Sequence, residues 1–299
     1  MADRPPAAEV AFSPELVRAL LAEQHPELAD RDIAGPFEGF DMAVFRLGED
    51  LAVRLPRHRG SVPSLESEIR WVGRLGGRWT FPTQRILRVG RPGAVFPWCW
   101  AVTSWLPGDL AADRPLDVAA APALGRALAE IHQPAPADAP FNSEQSIRLA
   151  EREPVLRQTL PRLPAAGAAR GLVMDVDAAE ARWRRAAAVP DDAPRVWIHG
   201  DLHPFNVISV DGGFGGIIDW SDISGGDPAV DLGFLQLLLP AAAVATAFES
   251  YGGVDPATAA RAGAIALVKA ATLAVVDLEI VAAIGWRALV ELDVAKPLD

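Results

Sequence analysis

Residues 196–222 read VWIHGDLHPFNVISVDGGFGGIIDWSD, and the spacing of their polar side chains decides the fold. Asp201 directly follows a short apolar run, and Asn206 lies five residues later. The last apolar run of the stretch ends at Asp219. Because a strand, a loop and a hairpin bring the ends of their strands together, we expect these three side chains to converge on one point.

Three interpretations of this spacing are open. One aspartate and one asparagine are oxygen ligands that suit Mg²⁺, and the second aspartate can accept a proton from a hydroxyl, as phosphoryl transfer requires. A metal-dependent hydrolase would instead use His199, Asp201 and His203, but it needs more ligands than His25, His58 and His132 readily offer. A purely structural role, as turn residues at strand ends, is the third.

The apolar periodicity predicts an α+β protein. Helical spacing covers residues 13–28 and 62–76, and apolar alternation predicts a hairpin of strands 43–47 and 51–56, then strands 83–89 and 99–105. Further helices are predicted at 118–133, 144–160, 175–188, 228–238, 241–251 and 256–292. The turn-rich segment 106–117 separates an N-terminal domain, residues 1–105, from a mainly helical domain, residues 106–299.

The composition of this 299-residue chain argues against several classes of binding partner. A formal net charge of −11 argues against nucleic-acid binding, because phosphates would be repelled. The single cysteine, Cys99, excludes a disulfide framework. Neither a secretory signal nor an unbroken apolar span is recognised, so we expect a soluble, cytoplasmic protein without a membrane partner. The chain has two lysines, Lys269 and Lys296, so lysine-dependent chemistry has only these candidates.

HGDLHPFN (199–206) followed by IIDWSDISGGDPAVDL (217–232) resembles the aminoglycoside phosphotransferase family, distant relatives of protein kinases that include macrolide kinases. The resemblance implies a protein-kinase-like bilobal fold, with a small antiparallel-sheet lobe and a larger helical one. It also implies Mg²⁺-dependent transfer of the γ-phosphoryl group of ATP or GTP. Asp201 would be the catalytic base, Asn206 and Asp219 would hold Mg²⁺, and His199 would support the loop. For His203 we also favour loop support.

The resemblance extends to a nucleotide clamp in GFDMAVFRLGEDLAVRLP (39–56). The turn over the phosphates would consist of Gly39, Phe40, Asp41 and Met42. Arg54 stands where kinases use a lysine, and an arginine fork can grip phosphate oxygens. Its partner should be Glu68, which shares the inward face of its helix, whereas Glu66 should be solvated. The segment between the lobes would present to the purine the backbone groups of Ser104, Trp105 and Leu106.

The expected acceptor is a hydroxyl of an aminoglycoside-type antibiotic or similar polar compound, bound by the helical lobe, with antibiotic resistance as the role. A macrolide kinase or a metabolic kinase for a sugar, choline or homoserine is the alternative of the same fold. Met42 stands where the family usually has asparagine, and Arg54 replaces a lysine. A catalytically inactive nucleotide-binding protein is therefore the alternative of another class, beside the hydrolase.

Overall fold

The computed structural model describes residues 7–298, which form two compact units. The first contains the described residues up to 78, together with 82–107 and 218–221. The second contains residues 79–81, 108–217 and the chain from 222 onward. The first unit is built on a five-stranded antiparallel sheet and the second is mainly helical, so the predicted α+β class is confirmed.

The first unit encloses one strand completely. Its helices are α1 (Pro14–Gln24) and α2 (Val62–Leu75), and its strands are β1 (Ile33–Glu38), β2 (Met42–Leu47), β3 (Leu51–Pro56), β4 (Ile86–Gly90) and β5 (Trp100–Ser104). The strand order is β1-β2-β3-β5-β4. β3 is buried along its length, because α1 packs on one face of the sheet and α2 on the other.

The second unit surrounds short strands with helices. The helices are α3 (Ala121–Ile131), α4 (Glu153–Thr159), α5 (Leu163–Ala168), α6 (Val176–Ala187), α7 (Ala229–Leu238), α8 (Ala241–Tyr251), α9 (Pro256–Ala274) and α10 (Glu279–Glu291). The strands are β6 (Asp109–Leu110), β7 (Leu172–Met174), β8 (Val196–Ile198), β9 (Val207–Val210), β10 (Gly213–Ile217), β11 (Ser224–Gly226) and β12 (Ala295–Pro297). They form three small sheets, β10-β9-β6, β11-β8 and β12-β7.

α9 is the core helix of the second unit. Asp255 caps it, accepting hydrogen bonds from the amides of Ala257 and Thr258. The helix packs against α4, α6, α7 and α10. By length and composition α9 could also cross a membrane, but 67% of its apolar window is buried inside the protein.

The single helix predicted over 256–292 is wrong. The chain breaks at 275–278 and turns back, so that α9 and α10 pack on each other. The approach is close at Gly285, where a Cβ would lie 2.3 Å from the amide nitrogen of Ala274. Tertiary packing therefore ends a helix whose apolar pattern continues without interruption.

Other boundaries shift because of local polar groups and prolines. The helix predicted over 144–160 begins only at Glu153, because the side chain of Asn142 accepts the amides of Glu144 and Gln145 and holds the preceding segment as turns. The helix predicted over 13–28 ends at Gln24, before a proline. β1 was not predicted, since its glycine and proline hide the strand pattern.

Candidate active site

A buried carboxylate fixes the loop between β8 and β9. Asp231, in the first turn of α7, is fully buried and accepts hydrogen bonds from the amides of His199 (2.7 Å) and Gly200 (2.9 Å). His132 Nε2 lies 3.1 Å from the same carboxylate. Gly200 has φ of +89°, and a Cβ there would lie 2.9 Å from the carbonyl oxygen of Asp222, so the position requires glycine. The backbone leading into Asp201 is therefore held rigidly.

Asp201 lies on this loop as an oriented carboxylate. His203 Nε2 is 3.2 Å from Asp201 Oδ2, and Asn206 Nδ2 donates to the Asp201 carbonyl oxygen at 2.8 Å. His203 Nδ1 accepts from the amide of Phe205, which leaves the ring proton on Nε2 to face Asp201. Burial raises the pKa of Asp201, but His203, Lys269 and His199 outweigh it and hold the pKa well below its usual range. Asp201 is thus ionised at neutral pH and can accept a hydrogen bond from a hydroxyl.

The histidines of this loop make hydrogen bonds within it. His199 is fully buried, and its Nδ1 accepts the amide of Asp201 at 3.3 Å. Across residues 7–298, no three histidine, cysteine or acidic side chains are grouped to hold a metal ion. The geometry therefore does not supply the ligand set that the hydrolase interpretation with His199, Asp201 and His203 requires.

In the first unit, Arg54 joins two carboxylates. Its side chain projects from the buried strand β3, and only 3% of it is exposed. Nη1 donates to the carboxylate of Glu68 on α2, and Nη2 donates to Asp219 Oδ1 at 2.8 Å. Gln84 Nε2 also donates to Glu68, at 2.8 Å. The structure thus brings Arg54 and Glu68 together, while Glu66 is exposed.

The surroundings of Glu68 raise the pKa of its carboxyl group. Burial raises the pKa of Glu68 to about 6, against the opposing pull of Arg54, and the nearby charge of Asp219 adds to the rise. Burial alone would lower the pKa of Arg54, but Glu68 and Asp219 outweigh it and raise that pKa above its ordinary value. Arg54 therefore keeps its charge, and Glu68 is the group of the pair that titrates.

Asp219 sits in a strained backbone conformation next to a fixed aromatic ring. Its φ is +58°, a left-handed value that aspartate tolerates better than most residues. The following residue, Trp220, is fully buried, and its Nε1 donates to Thr83 Oγ1 at 2.9 Å. The side chain of Asp219 remains 38% exposed. Its carboxylate is therefore fixed in direction and accessible.

The turn between β1 and β2 is closed by two backbone hydrogen bonds, one within the turn and one from the residue after β3. The amide of Gly39 donates to the carbonyl of Met42, and the amide of Arg57 donates to the carbonyl of Asp41, both at 2.9 Å. Phe40 is exposed at the tip. The side chain of Met42 is buried in an apolar cluster on the α2 side of the sheet, so only its backbone can reach a ligand.

The end of β5 and the residue after it use their amides within the first unit. The amide of Ser104 donates to the carbonyl of Arg85, and the amide of Trp105 donates to the carbonyl of Asp50. These two amides are already used within the unit. The expectation that backbone groups of Ser104, Trp105 and Leu106 face a purine stays a prediction. The Trp105 ring is half-buried and lies 5.9 Å from the Phe37 ring.

Sequence reasoning missed the polar residues that surround the loop of Asp201. Lys269 Nζ donates to Gln145 Oε1 at 2.9 Å, and Asn142 Nδ2 donates to Asp222 Oδ1 at 2.5 Å. Gln145 lies in the predicted helix 144–160, and Asn142 lies just before it. The one available signal was that Lys269 is one of only two lysines in the chain.

The antiparallel sheet of the first unit and the helical second unit define a kinase-like fold, and comparison with known proteins specifies the family. The sequence pattern of the phosphotransferase enzyme family matches residues 32–263, most of the chain. The chain therefore belongs to that family, and the resemblance identified from its motifs is confirmed.

Similarity to individual proteins establishes the fold and leaves the substrate open. The GDP complex of wild-type aminoglycoside 2'-phosphotransferase-IIIa has a TM-score of 0.70 at 15% identity, covering 94% of this chain and 99% of that one. Macrolide 2'-phosphotransferase MphH from Brachybacterium faecium has a TM-score of 0.56 at 22% identity, covering 92% and 98%. A homoserine kinase from Gluconacetobacter diazotrophicus is 36% identical over 137 residues, which span 44% of this chain and only 37% of that protein.

Proposed function

We propose that this chain transfers the γ-phosphoryl group of ATP or GTP, with Mg²⁺, to a hydroxyl group of a small polar molecule. The observation that carries the proposal is the ionised carboxylate of Asp201, held by His203 on a loop that Asp231 anchors through two backbone amides. Structural neighbours bound to GDP and to ATP support a nucleoside triphosphate donor. Such a donor is consistent with the cytoplasmic location expected from the sequence.

The chemistry follows from the ionisation of Asp201. Because its pKa lies far below neutrality, Asp201 is a weak base that orients the acceptor hydroxyl and takes its proton late. In a loose transition state the bond to the attacking oxygen is only slightly formed. The hydroxyl therefore does not have to be deprotonated beforehand by a strong base. Arg54 would bind nucleotide phosphate oxygens through its planar fork while Glu68 holds it in place.

Asn206 and Asp219 each carry a donor atom that suits Mg²⁺. Asn206 Nδ2 is taken by the carbonyl of Asp201, so Oδ1 is the atom of that side chain left to bind a hard cation. Asp219 contributes an accessible carboxylate. One amide and one carboxylate suit an ion that keeps several waters and substrate phosphates as ligands. When bound, Mg²⁺ would neutralise charge on the phosphates.

The acceptor is the finer part of the proposal. An aminoglycoside-type antibiotic is supported by the names of the structural neighbours, and it would make resistance the biological role. A macrolide is supported by MphH, and a metabolic alcohol such as homoserine by the partial match to the homoserine kinase. A panel with purified protein, Mg-ATP or Mg-GTP and each of these alcohols, followed by nucleoside diphosphate release, tests all three.

Asp201→Asn provides the decisive variant for this panel. The substitution should lower kcat by about 10²–10⁴-fold, the usual loss for a general base, and leave nucleotide binding nearly intact. Asp192→Asn, at an exposed aspartate in the loop before β8, is the matched control and should retain full activity. Nucleotide binding without turnover on any alcohol would instead favour the inactive nucleotide-binding protein.

A further inference from the structure

The side chain of Lys269 extends from the core helix α9 to Gln145, which packs on the loop that carries Asp201. Its Nζ donates to Gln145 Oε1 at 2.9 Å. Gln145 and Asp222 both pack on Gly200, where a Cβ would lie 3.3 Å from the Cγ of Gln145 and 2.9 Å from the carbonyl oxygen of Asp222. The ammonium group is thus linked through the side chain of Gln145 to the residue that immediately precedes Asp201.

This ammonium group has no direct counter-ion in the protein. Within residues 7–298, Nζ makes its hydrogen bond to the neutral amide of Gln145, lies 5.1 Å from the centre of the Phe234 ring, and has no carboxylate within 4.0 Å. Burial lowers the pKa of Lys269, and the more distant carboxylates of Asp201 and Asp222 oppose this. A half-buried charge with a single neutral acceptor costs free energy that an apolar residue at this helix position would not.

A second cation beside Lys269 also has only neutral partners. Arg152 is buried, and its guanidinium donates to the backbone carbonyls of Glu144 (3.0 Å) and Gln145 (2.7 Å). Asp222, an acidic residue of the surrounding segments, accepts a hydrogen bond from the side-chain amide of Asn142. Within the described part of the chain, neither Lys269 nor Arg152 forms an ion pair, so both leave positive charge near the Asp201 loop.

We propose that Lys269 binds a carboxylate group of the acceptor, so that the acceptor is a small hydroxy acid. This inference rests on the proposed function, since Asp201 would orient the hydroxyl of the same molecule. Gln145 fixes the direction of Nζ, and a ligand carboxylate supplies the charged partner that the protein lacks. A polycationic aminoglycoside would instead bring ammonium groups against Lys269 and Arg152.

Pairs of acceptors that differ only in charge test this proposal. Serine, threonine and 4-hydroxybutanoate are each compared with the corresponding primary carboxamide, and kcat/KM is measured with saturating Mg-nucleotide. The wild-type protein should prefer each acid over its amide. Lys269→Met should reduce that preference about 10- to 100-fold, the worth of one charge-assisted hydrogen bond, and Lys269→Arg should retain more of it.

Lys296→Met is the matched control, because Lys296 is exposed on β12 and is the only other lysine of the chain. This variant should keep the wild-type preference. Thermal unfolding shows whether the Lys269→Met protein is folded, and Lys269→Gln serves in its place if it is not.

Several results would overturn the proposal while the proposed function stands. An unchanged acid preference in Lys269→Met would do so. A kcat that falls equally for acids and amides would do so as well, because it would mean that Lys269 acts only on Asp201. The third such result is that the wild-type protein prefers aminoglycosides as acceptors and that Lys269→Met raises kcat/KM for them.

Failure of the proposed function has a different signature, namely no transfer by the wild-type protein to any alcohol and no effect of Asp201→Asn. Calorimetric titration of the same acids into wild-type protein and Lys269→Met then decides about Lys269. Tighter binding to the wild-type protein supports the proposal, and equal affinities overturn it.

Discussion

Arg54 Nη2 lies 2.8 Å from Asp219 Oδ1, although the two residues are 165 positions apart in the chain. The other terminal nitrogen of the same guanidinium binds Glu68, so one side chain spans two carboxylates. A lysine ammonium is a single point charge and lacks this fixed fork. The guanidinium therefore ties the carboxylate proposed to bind metal to the network of α2.

Two replacements of Arg54 should distinguish the contribution of its positive charge from that of its forked guanidinium geometry. Arg54→Met leaves Glu68 buried without its cation, so kcat/KM for the nucleotide should fall by about 100-fold or more and the protein should lose stability. Arg54→Lys keeps the charge and should lose roughly tenfold. Steady-state kinetics at varied nucleotide concentration checks both. Arg88→Met, at an exposed arginine of β4, should behave as wild type, and equal losses in all three variants would contradict the assignment.

Titration of Glu68 should be visible in the pH dependence of stability. Its pKa is about 6 in the folded protein and near 4.5 when unperturbed, so between these values the folded state binds a proton that the unfolded chain does not. The contribution of Glu68 to the free energy of unfolding therefore falls as pH rises from 4.5 to 6. Glu68→Gln should flatten this part of the profile.

Urea unfolding at several pH values between 4.5 and 6.5 measures this effect. Glu66→Gln is the control, because Glu66 lies on the exposed face of the same helix and should leave the profile unchanged. Identical slopes for wild type and Glu68→Gln would show that Glu68 is already ionised throughout this range.

The sequence supported those parts of the site that depend on spacing and periodicity. The choice of Glu68 over Glu66 followed from the inward face of one helix, and the hairpin that places Arg54 followed from apolar alternation. The contacts of Asp231 and Lys269 did not follow, because they join residues far apart in the chain and neither belongs to a local pattern. Likewise, no local signal showed that Asp50 would occupy the amide of Trp105.

Asp231→Asn should impair catalysis through the backbone of the loop. The carboxylate accepts two amides, and an asparagine would point its NH₂ group at one of them or at His132. We expect a loss of about 2–4 kcal/mol in the free energy of unfolding and a lower kcat, with a smaller change in the KM for nucleotide. Chemical denaturation and kinetics measure the two effects. Asp177→Asn, an exposed acid in the first turn of α6, is the control, and unchanged kcat in a folded Asp231→Asn protein would contradict the positioning role.

Asp219→Asn tests the metal assignment without disturbing the backbone. Asparagine tolerates the left-handed φ of +58° as well as aspartate does, so the main change is the loss of one negative charge. Nucleotide affinity should become less dependent on Mg²⁺, with about tenfold more Mg²⁺ needed for half-maximal binding, while binding in EDTA stays close to wild type. Fluorescence titration of a nucleotide analogue at fixed Mg²⁺ concentrations gives both values.

Asp211→Asn is the control for this prediction. It is matched in conformation, since Asp211 has φ of +51° and an exposed side chain. A Mg²⁺ dependence that is the same in wild type, Asp219→Asn and Asp211→Asn would show that Asp219 does not bind the ion.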